Sequence, residues 1–561
     1  MNYTKWWKQA VIYEIYLRSF YDSNGDGVGD LQGIIQKLDY IKDLGVDAIW
    51  VTPFYQSPLD DMGYDISDYC SILLEFGTME DFERLVHESH RRGIKVVIDM
   101  VLNHTSDEHP WFVESRSSKT NPRRDWYVWH PGIKGDLPNN WQSAFQGSAW
   151  EYDELTGEYY LHQFSKKQPD LNWRNPQVRE AMFDMIRFWL DKGVDGLRLD
   201  IINSLIEDGD FRDNIFIDNG LKIDYSKIYN NLDVAPEKII DYTRNQPETY
   251  SIVRELRNKV IERYKDIFTV GEAYPCSPEV AGELAGEGKL DVCFHFDFLF
   301  LNKRDVRSFK EIISRWEGSI KDRGPGAWNC YYLSNHDMPR QVSVFGSEKY
   351  YKESAAMLAA FLLTLPGTIF MYQGEEIGMT DVKFNAIEHY RDIMCVNYYK
   401  RLVEEGVDLD TALSEAQKMS RDNARTPMQW SNEKHGGFTM GTPWLGVNEN
   451  YRDINVRAQQ GDTKSILSFY KTLIKLRKDY KTLVYGSYKP LLEEHQQVMA
   501  YIREDEHAKL LVILNMSEQM VNLQEPLDGT IDIRNTVLLI ANTDQGNPFQ
   551  LKPFEVRIYL V

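Results

Sequence analysis

The chain has 561 residues, and 85 Asp plus Glu against 64 Lys plus Arg give a formal net charge of −21. That surplus excludes a basic nucleic-acid groove as the main feature of the molecule. Hydrophobic content of 42% and charge of 27% describe an ordinary globular chain able to bury a large core, with aromatic content raised to 13%.

Taken in order, short apolar runs ending in polar residues alternate with helical periodicity. The runs are 10–20 (AVIYEIYLRSF), 46–55 (VDAIWVTPFY), 95–104 (KVVIDMVLNH), 195–200 (DGLRLD), 268–274 (FTVGEAY), 292–298 (VCFHFDF), 329–337 (NCYYLSNHD) and 368–376 (TIFMYQGEE). Their near-continuous apolar character is that of strands covered on both faces. Amphipathic stretches such as 31–44, 79–92 and 176–192 lie between them, the last with Pro176 at its start and Gly193 at its end. This alternation predicts an α/β fold, a (β/α)8 TIM barrel. The connection 105–173 is too long for a loop and predicts a small irregular domain inserted after strand 3; 203–252 predicts a lid-like excursion after strand 4. After a helix at 463–476, alternating strands at 497–503, 510–515, 536–542 and 556–561 predict an antiparallel β domain. The predicted organisation is barrel over 1–104, inserted domain over 105–173, barrel over 174–479 and β domain over 480–561.

Cys70, Cys276, Cys293, Cys330 and Cys395 are odd in number and widely spaced, with no C-x-x-C, so free thiols are expected rather than a disulfide framework or zinc knuckle. The longest apolar run, 355–365, stops at Pro366-Gly367, short of the roughly 20 residues that span a bilayer. With no signal-peptide pattern at the N-terminus, the expectation is a cytoplasmic protein without a membrane partner, monomeric or a weak homo-oligomer.

Barrel chemistry gathers at the C-terminal ends of the strands. There the sequence places His104, Arg198 with Asp200, Glu272, and His336 with Asp337. Side chains alternate along a strand, so Arg198 and Asp200 share a face. A guanidinium beside Asp200 would hold that carboxylate ionised, as a nucleophile requires. Glu272, between Gly271 and Ala273, has the apolar setting of a general acid. Two carboxylates about 5 Å apart make a retaining glycosidase, and a third can stabilise an oxocarbenium-like transition state. A buried ion pair is the alternative for Arg198 and Asp200 taken alone.

DMVLNH (99–104), GLRLD (196–200), VGEA (270–273) and LSNHD (333–337) resemble the four ordered signature segments of the α-amylase superfamily. QPDLNW (168–173), DDMGYDISDY (60–69) and SRDNARTPMQW (420–430) are similar to its oligo-1,6-glucosidase and dextran glucosidase branch. The resemblance implies a retaining mechanism with Asp200 as nucleophile, Glu272 as acid/base and Asp337 as transition-state stabiliser. It also places Asp61, Tyr64, His104, Arg198, His336 and either Arg421 or Arg425 around a terminal glucose, with Phe145, Phe164 and Gln168 as further candidates. A small oligosaccharide is the implied partner. In this family the residue after the nucleophile bears on linkage, Val accompanying α-1,6 and Ala or Thr accompanying α-1,4 activity. Here it is Ile201, bulky and β-branched, which favours α-1,6-linked gluco-oligosaccharides; 203–252, with NQPETY at 245–250, looks more like maltase-type relatives. The alternatives are an α-1,4 maltase, a trehalose-6-phosphate hydrolase, a glucosyltransferase or sucrose isomerase, and a non-enzymatic binding protein like the heavy subunits of amino-acid transporters.

The segment 22–30, DSNGDGVGD, carries oxygens at alternating positions: Asp22, Asn24, Asp26, the Val28 carbonyl and Asp30. It resembles the first half of an EF-hand loop without its distant Glu. A structural Ca2+ is expected, with Mg2+ as the alternative; relatives in the oligo-1,6-glucosidase branch carry a similar calcium loop.

Overall fold

A computed structural model describes residues 5–133, 135–218, 221–223, 239–301, 305–524, 527, 532–544 and 546–561. Eight strands form one parallel sheet: β1 (Val11–Ile15), β2 (Ala48–Val51), β3 (Lys95–Val101), β4 (Gly196–Asp200), β5 (Phe268–Glu272), β6 (Val292–Phe294), β7 (Cys330–Tyr331) and β8 (Thr368–Tyr372). The ladder runs β6-β5-β4-β3-β2-β1-β8-β7. It closes into a barrel where the Cys330 thiol lies 3.4 Å from the Cys293 carbonyl oxygen, joining β7 to β6.

A helix follows each strand: α1 (Leu31–Leu44), α2 (Met79–Arg91), α3 (Pro176–Asp191), α4 (Pro247–Lys259), α5 (Pro278–Leu284), α6 (Val306–Ser319), α7 (Tyr351–Thr364) and α8 (Ile466–Asp479). Their starts are written in the sequence. Asp30 caps α1 by accepting from Gly33 N, Thr78 and Asp81 form a capping box on α2, and Asn175 with Pro176 opens α3.

Strand alternation sorts side chains between two cores. Leu197 and Leu199 of β4 pack outward with Ile186 and Trp189 of α3. Ile12, Ala48, Val97, Phe268, Val270, Val292 and Phe370 fill the barrel lumen together with Trp50, Phe294 and Tyr332. Such a packed lumen leaves room for chemistry only above it, at the C-terminal rim.

The predicted strands overshoot on that rim: 329–337 shrinks to Cys330–Tyr331 and 10–20 to Val11–Ile15. The chain there leaves the ladder yet stays covered by the insertions, so Leu17 and Leu333 remain buried and look strand-like in sequence. The segment after β3, expected to be irregular, instead holds a helix (Pro110–Ser117) and a three-stranded antiparallel sheet of Trp129–His130, Glu158–Leu161 and Trp150–Asp153. Strands of two to four residues are too short for a periodicity signal. The expected lid-like excursion lies partly outside the described residues; within them, Ile215–Asp218 pairs with Leu221–Ile223 and Ile239–Ile240. After β8 an unanticipated helical hairpin, Ile393–Glu404 and Leu409–Met419, precedes the 420–430 segment. The C-terminal β domain is a five-stranded antiparallel sheet containing Ser487–Leu491, Val498–Glu504, Lys509–Asn515, Val556–Leu560 and Val537–Ala541. Among the described residues no helix is long and apolar enough to cross a membrane.

Candidate active site

The register of β3, β4 and β5 places Asp99 and Val270 on either side of Arg198. Arg198 is 1% exposed and is the hub of the site. Its Nη1 donates to Asp99 Oδ1 at 2.8 Å and also to Asp200 Oδ1; its Nη2 lies 2.6 Å from Glu272 Oε2. The guanidinium also sits 5.3 Å from the Trp50 ring centroid. One planar fork thus fixes both carboxylates. Burial pushes the Asp200 carboxyl well above its usual range, Arg198 pulls it back, and the neighbouring Glu272 charge pushes it up again, so contrary to the sequence expectation Arg198 alone does not outweigh burial in holding Asp200 ionised.

β4 ends abruptly. Ile201 adopts φ 34° and ψ 44°, a left-handed conformation costly for a β-branched residue, about 1–3 kcal/mol. The turn aims the Ile201 N–H at Glu272 Oε2, 3.2 Å away. Gly271 is what lets the segment pack there, because a Cβ would come within 2.8 Å of Ile202 and 2.7 Å of Leu290.

A second group surrounds Asp337. His336 Nδ1 donates to Glu14 Oε1 at 2.5 Å, and its Nε2 lies 3.0 Å from Asp337 Oδ2 and 2.7 Å from Tyr64 Oη. Tyr64 Oη in turn donates to Asp99 Oδ2 at 3.0 Å, which ties the Asp337 group to the Arg198 hub. Burial alone would lower the His336 pKa; the Asp337 and Glu14 carboxylates overcome it and hold the ring up at about 9, an imidazolium at neutral pH. Burial opposes ionisation of Asp337, but His336, Arg425 and Arg421 hold its carboxyl well below the usual range.

Both arginines of the 420–430 segment reach Asp337. Arg425 Nη2 is 2.6 Å from Asp337 Oδ1, and its Nε donates to the His336 carbonyl at 2.9 Å, so Arg425 is locked and 0% exposed. Arg421 keeps 7% exposure; its Nη2 donates to Asp61 Oδ1 at 2.9 Å, Nη1 lies 3.6 Å from Asp337 Oδ1, and its guanidinium covers the Phe145 ring at 4.9 Å. Gln168 Nε2 bridges Asp61 Oδ2 (3.2 Å) and His104 Nε2 (3.1 Å). Phe164 packs on His104 and Phe145 with centroids 5.3 Å and 5.7 Å away. Burial lowers His104 to about 3, leaving it neutral.

The structure therefore gathers Asp61, Tyr64, His104, Phe145, Phe164, Gln168, Arg198, Asp200, Ile201, Glu272, His336, Asp337, Arg421 and Arg425 around one rim. The Tyr64 and His336 rings run nearly parallel, at 4° with centroids 5.5 Å apart, and are joined edge to edge by the Oη–Nε2 contact. The sequence reading assigned no site role to Asp99, Glu14, Trp50 or Asp392. Asp99 carries a legible signal, an acid inside the apolar run of β3.

The 22–30 loop takes no part in this network. Its donor chemistry is that of a calcium loop, all hard oxygens. Gly27, at φ 100°, packs so closely on the 439–443 segment that a Cβ would lie 1.9 Å from the Thr442 carbonyl oxygen. The carboxylates are engaged by the chain: Asp22 accepts from Gly25 N (2.7 Å), Gly27 N (2.8 Å) and Thr439 Oγ1, Asp26 from Val28 N (2.9 Å), and Asp30 from Ser23 N (2.9 Å) and Gly33 N (2.6 Å). Among the described residues no three His, Cys, Asp or Glu side chains are grouped so as to hold a metal ion.

Residues 14–486 match the α-amylase catalytic-domain family. The chain is 47% identical to the oligo-1,6-glucosidase of Parageobacillus thermoglucosidasius over 99% of each chain. Among solved structures it is similar to the trehalose-6-phosphate hydrolase of Bacillus licheniformis (42% identity, TM-score 0.88, 99% of this chain and 100% of that one). It is also similar to an isomaltulose synthase variant of Erwinia rhapontici NX5 in complex with sucrose (39%, TM-score 0.90, 100% of each).

Proposed function

Since the chain belongs to the α-amylase family of glycoside hydrolases, we propose that it is a retaining, exo-acting α-glucosidase that releases terminal glucose from short oligosaccharides, with preference for α-1,6 linkages of the isomaltose type. The observation that carries this reading is the Arg198 fork, which holds Asp200 and Glu272 on one guanidinium and so keeps the two carboxyl groups close, as a retaining rather than an inverting enzyme requires.

In this reading Asp200 attacks the anomeric carbon while Glu272 gives its proton to the departing glycosidic oxygen, and Glu272 then takes a proton from the water that frees the glucose. Asp337, ionised beside the His336 imidazolium, faces the positive charge that develops on the sugar ring. Arg421, rather than the locked Arg425, meets the glucose together with Asp61, His104 and His336. Ile201 narrows the site beside the nucleophile, and the resemblance to oligo-1,6-glucosidases supports the α-1,6 preference. Release of p-nitrophenol from its α-glucoside tests the reading: turnover is expected between pH about 4 and 8, and Asp200→Ala should reduce it roughly 10⁴-fold or more. Absence of turnover by the folded protein would overturn it. The likeness to a trehalose-6-phosphate hydrolase supports a second reading, hydrolysis of trehalose 6-phosphate, and that to a sucrose-bound isomaltulose synthase a third, isomerisation of sucrose. Products from isomaltose, maltose, sucrose and trehalose 6-phosphate separate the three.

The same proposal includes a structural Ca2+ held by Asp22, Asn24, Asp26, the Val28 carbonyl and Asp30, supported by their oxygen chemistry. Calcium should raise the melting temperature of chelator-treated protein; no calcium-dependent shift would remove the ion from the account. A cytoplasmic setting is supported by the free state of all five cysteines.

A further inference from the structure

Asp392 lies far in sequence from every strand end, on the last residue before the helix Ile393–Glu404, and caps that helix by accepting from Met394 N at 3.1 Å. Its side chain is 0% exposed, although a buried carboxylate survives only when its charge is met. Three groups of one residue meet it: Arg421 N donates to Oδ2 at 2.9 Å, Arg421 Nε to Oδ1 at 2.8 Å, and Arg421 Nη2 lies 2.7 Å from Oδ1. Asp422 completes the knot, its Oδ2 accepting from Asp392 N at 2.9 Å and from Arg391 N at 2.6 Å.

The knot closes the base of the hairpin Ile393–Met419, since Asp392 and Arg421 flank its two ends. The tip of the guanidinium that Asp392 holds is the part that reaches Asp61 and Asp337 over the Phe145 ring. From the hairpin itself, Asn397 Nδ2 donates to the Phe145 carbonyl at 3.2 Å, so the hairpin also fixes the ring beneath that guanidinium. An arginine side chain has several rotatable bonds, and holding one at a single bearing costs rotamer freedom unless packing has already restricted it.

We propose that Asp392 is a positioning residue for the glycosidic reaction: by clamping the backbone N–H, Nε and Nη2 of Arg421 it sets the bearing at which that guanidinium meets the glucose, Asp61 and Asp337. The proposal rests on the assignment of Arg421 to the glucose subsite. It differs from a merely structural cap in acting through Arg421, and the effect is therefore contingent on that side chain.

A double-mutant cycle with p-nitrophenyl α-glucoside and isomaltose tests it. Asp392→Asn is expected to lower kcat/KM at least about tenfold, mainly through KM for the glucose unit, in protein that melts cooperatively. In the Arg421→Ala background the same change should cost less than about twofold. Equal losses in both backgrounds would overturn the proposal, because Asp392 would then act through something other than Arg421. An unchanged kcat/KM for Arg421→Ala alone would instead refute the glucose-subsite assignment, leaving the two failures distinguishable. If Asp392→Asn does not fold, the cycle is run with Asp392→Glu, which keeps the charge and displaces it by one methylene; its loss should again vanish without Arg421, and a loss that persists counts against the proposal.

Discussion

At the residue scale the site is organised by charges that could not stand alone. Arg198 is buried in the lumen and meets Asp99, Asp200 and Glu272, so its desolvation is offset by three carboxylates and theirs by one guanidinium. A lysine carries a single point of charge and cannot span two carboxyl groups. Arg198→Lys should therefore cut kcat at least about 10²-fold, with the far-ultraviolet circular dichroism unchanged. His336 makes a pH prediction. Its folded pKa of about 9 lies above the ordinary 6.5, so its ion pairs with Glu14 and Asp337 stabilise the fold fully below pH 6.5 and are lost as pH rises through 9. Glu375, raised by burial to about 8, works in the same direction: folded protein keeps a proton that unfolded protein has released, which costs stability as pH rises above about 4.5 until Glu375 ionises. The melting temperature should fall between pH 6.5 and 9, and the stability gap between wild type and His336→Gln should narrow over that interval by on the order of 3 kcal/mol. A gap that stays constant would show that the imidazolium contributes nothing. The principal carboxylates were legible because strand ends of a barrel carry few structural reasons for acids. Glu14 was not, since a single Glu within AVIYEIYLRSF has no visible orientation until β1 pairs with β2 and β8. Asp392 was not legible either, because what marks it is a contact with Arg421 that only folding creates.

At the scale of elements, the joint between barrel and C-terminal sheet is built from two buried guanidinium groups that bind carbonyls. Arg477 of α8 donates to the carbonyls of Leu363 (3.0 Å), Leu365 (2.7 Å) and Leu483 (3.0 Å) and to that of Gly367; Arg503 donates to Thr364 (2.6 Å), Leu483 (2.7 Å) and Gly486 (2.7 Å). These oxygens include the end of α7, where the helix dipole favours a cation. Burial pulls Arg477 down to about 9 and Arg503 to about 10, and the two repel each other. Arg477→Met should strip the carbonyls of their donor and cost about 3 kcal/mol in chemical denaturation, while kcat of the folded fraction stays as in wild type. The start of the helix at 176 was readable from Pro176 because capping is local chemistry; Asp30, read from sequence as a cation ligand, shows its capping of α1 only in the fold. The hairpin Ile393–Met419 and the short strands after β3 were not readable, since their boundaries are set by what they pack against.

At the scale of the whole molecule, the barrel and the order of its eight units followed from alternation alone, because strands buried on both faces must be apolar and crossover helices must be amphipathic. The roof of the site did not, since it is assembled from the segment after β3, the 420–430 segment and the hairpin. These meet where Asn397 touches the Phe145 carbonyl and Arg421 covers the Phe145 ring. The central claim is that this assembly performs a double displacement at an α-glucoside through Asp200 and Glu272. Proton NMR of the glucose released from p-nitrophenyl α-glucoside, whose leaving group carries no anomeric centre, recorded faster than mutarotation, tests it most directly. α-Glucose is expected as the first-formed anomer; β-glucose appearing first, or no glucose released at all, would contradict it.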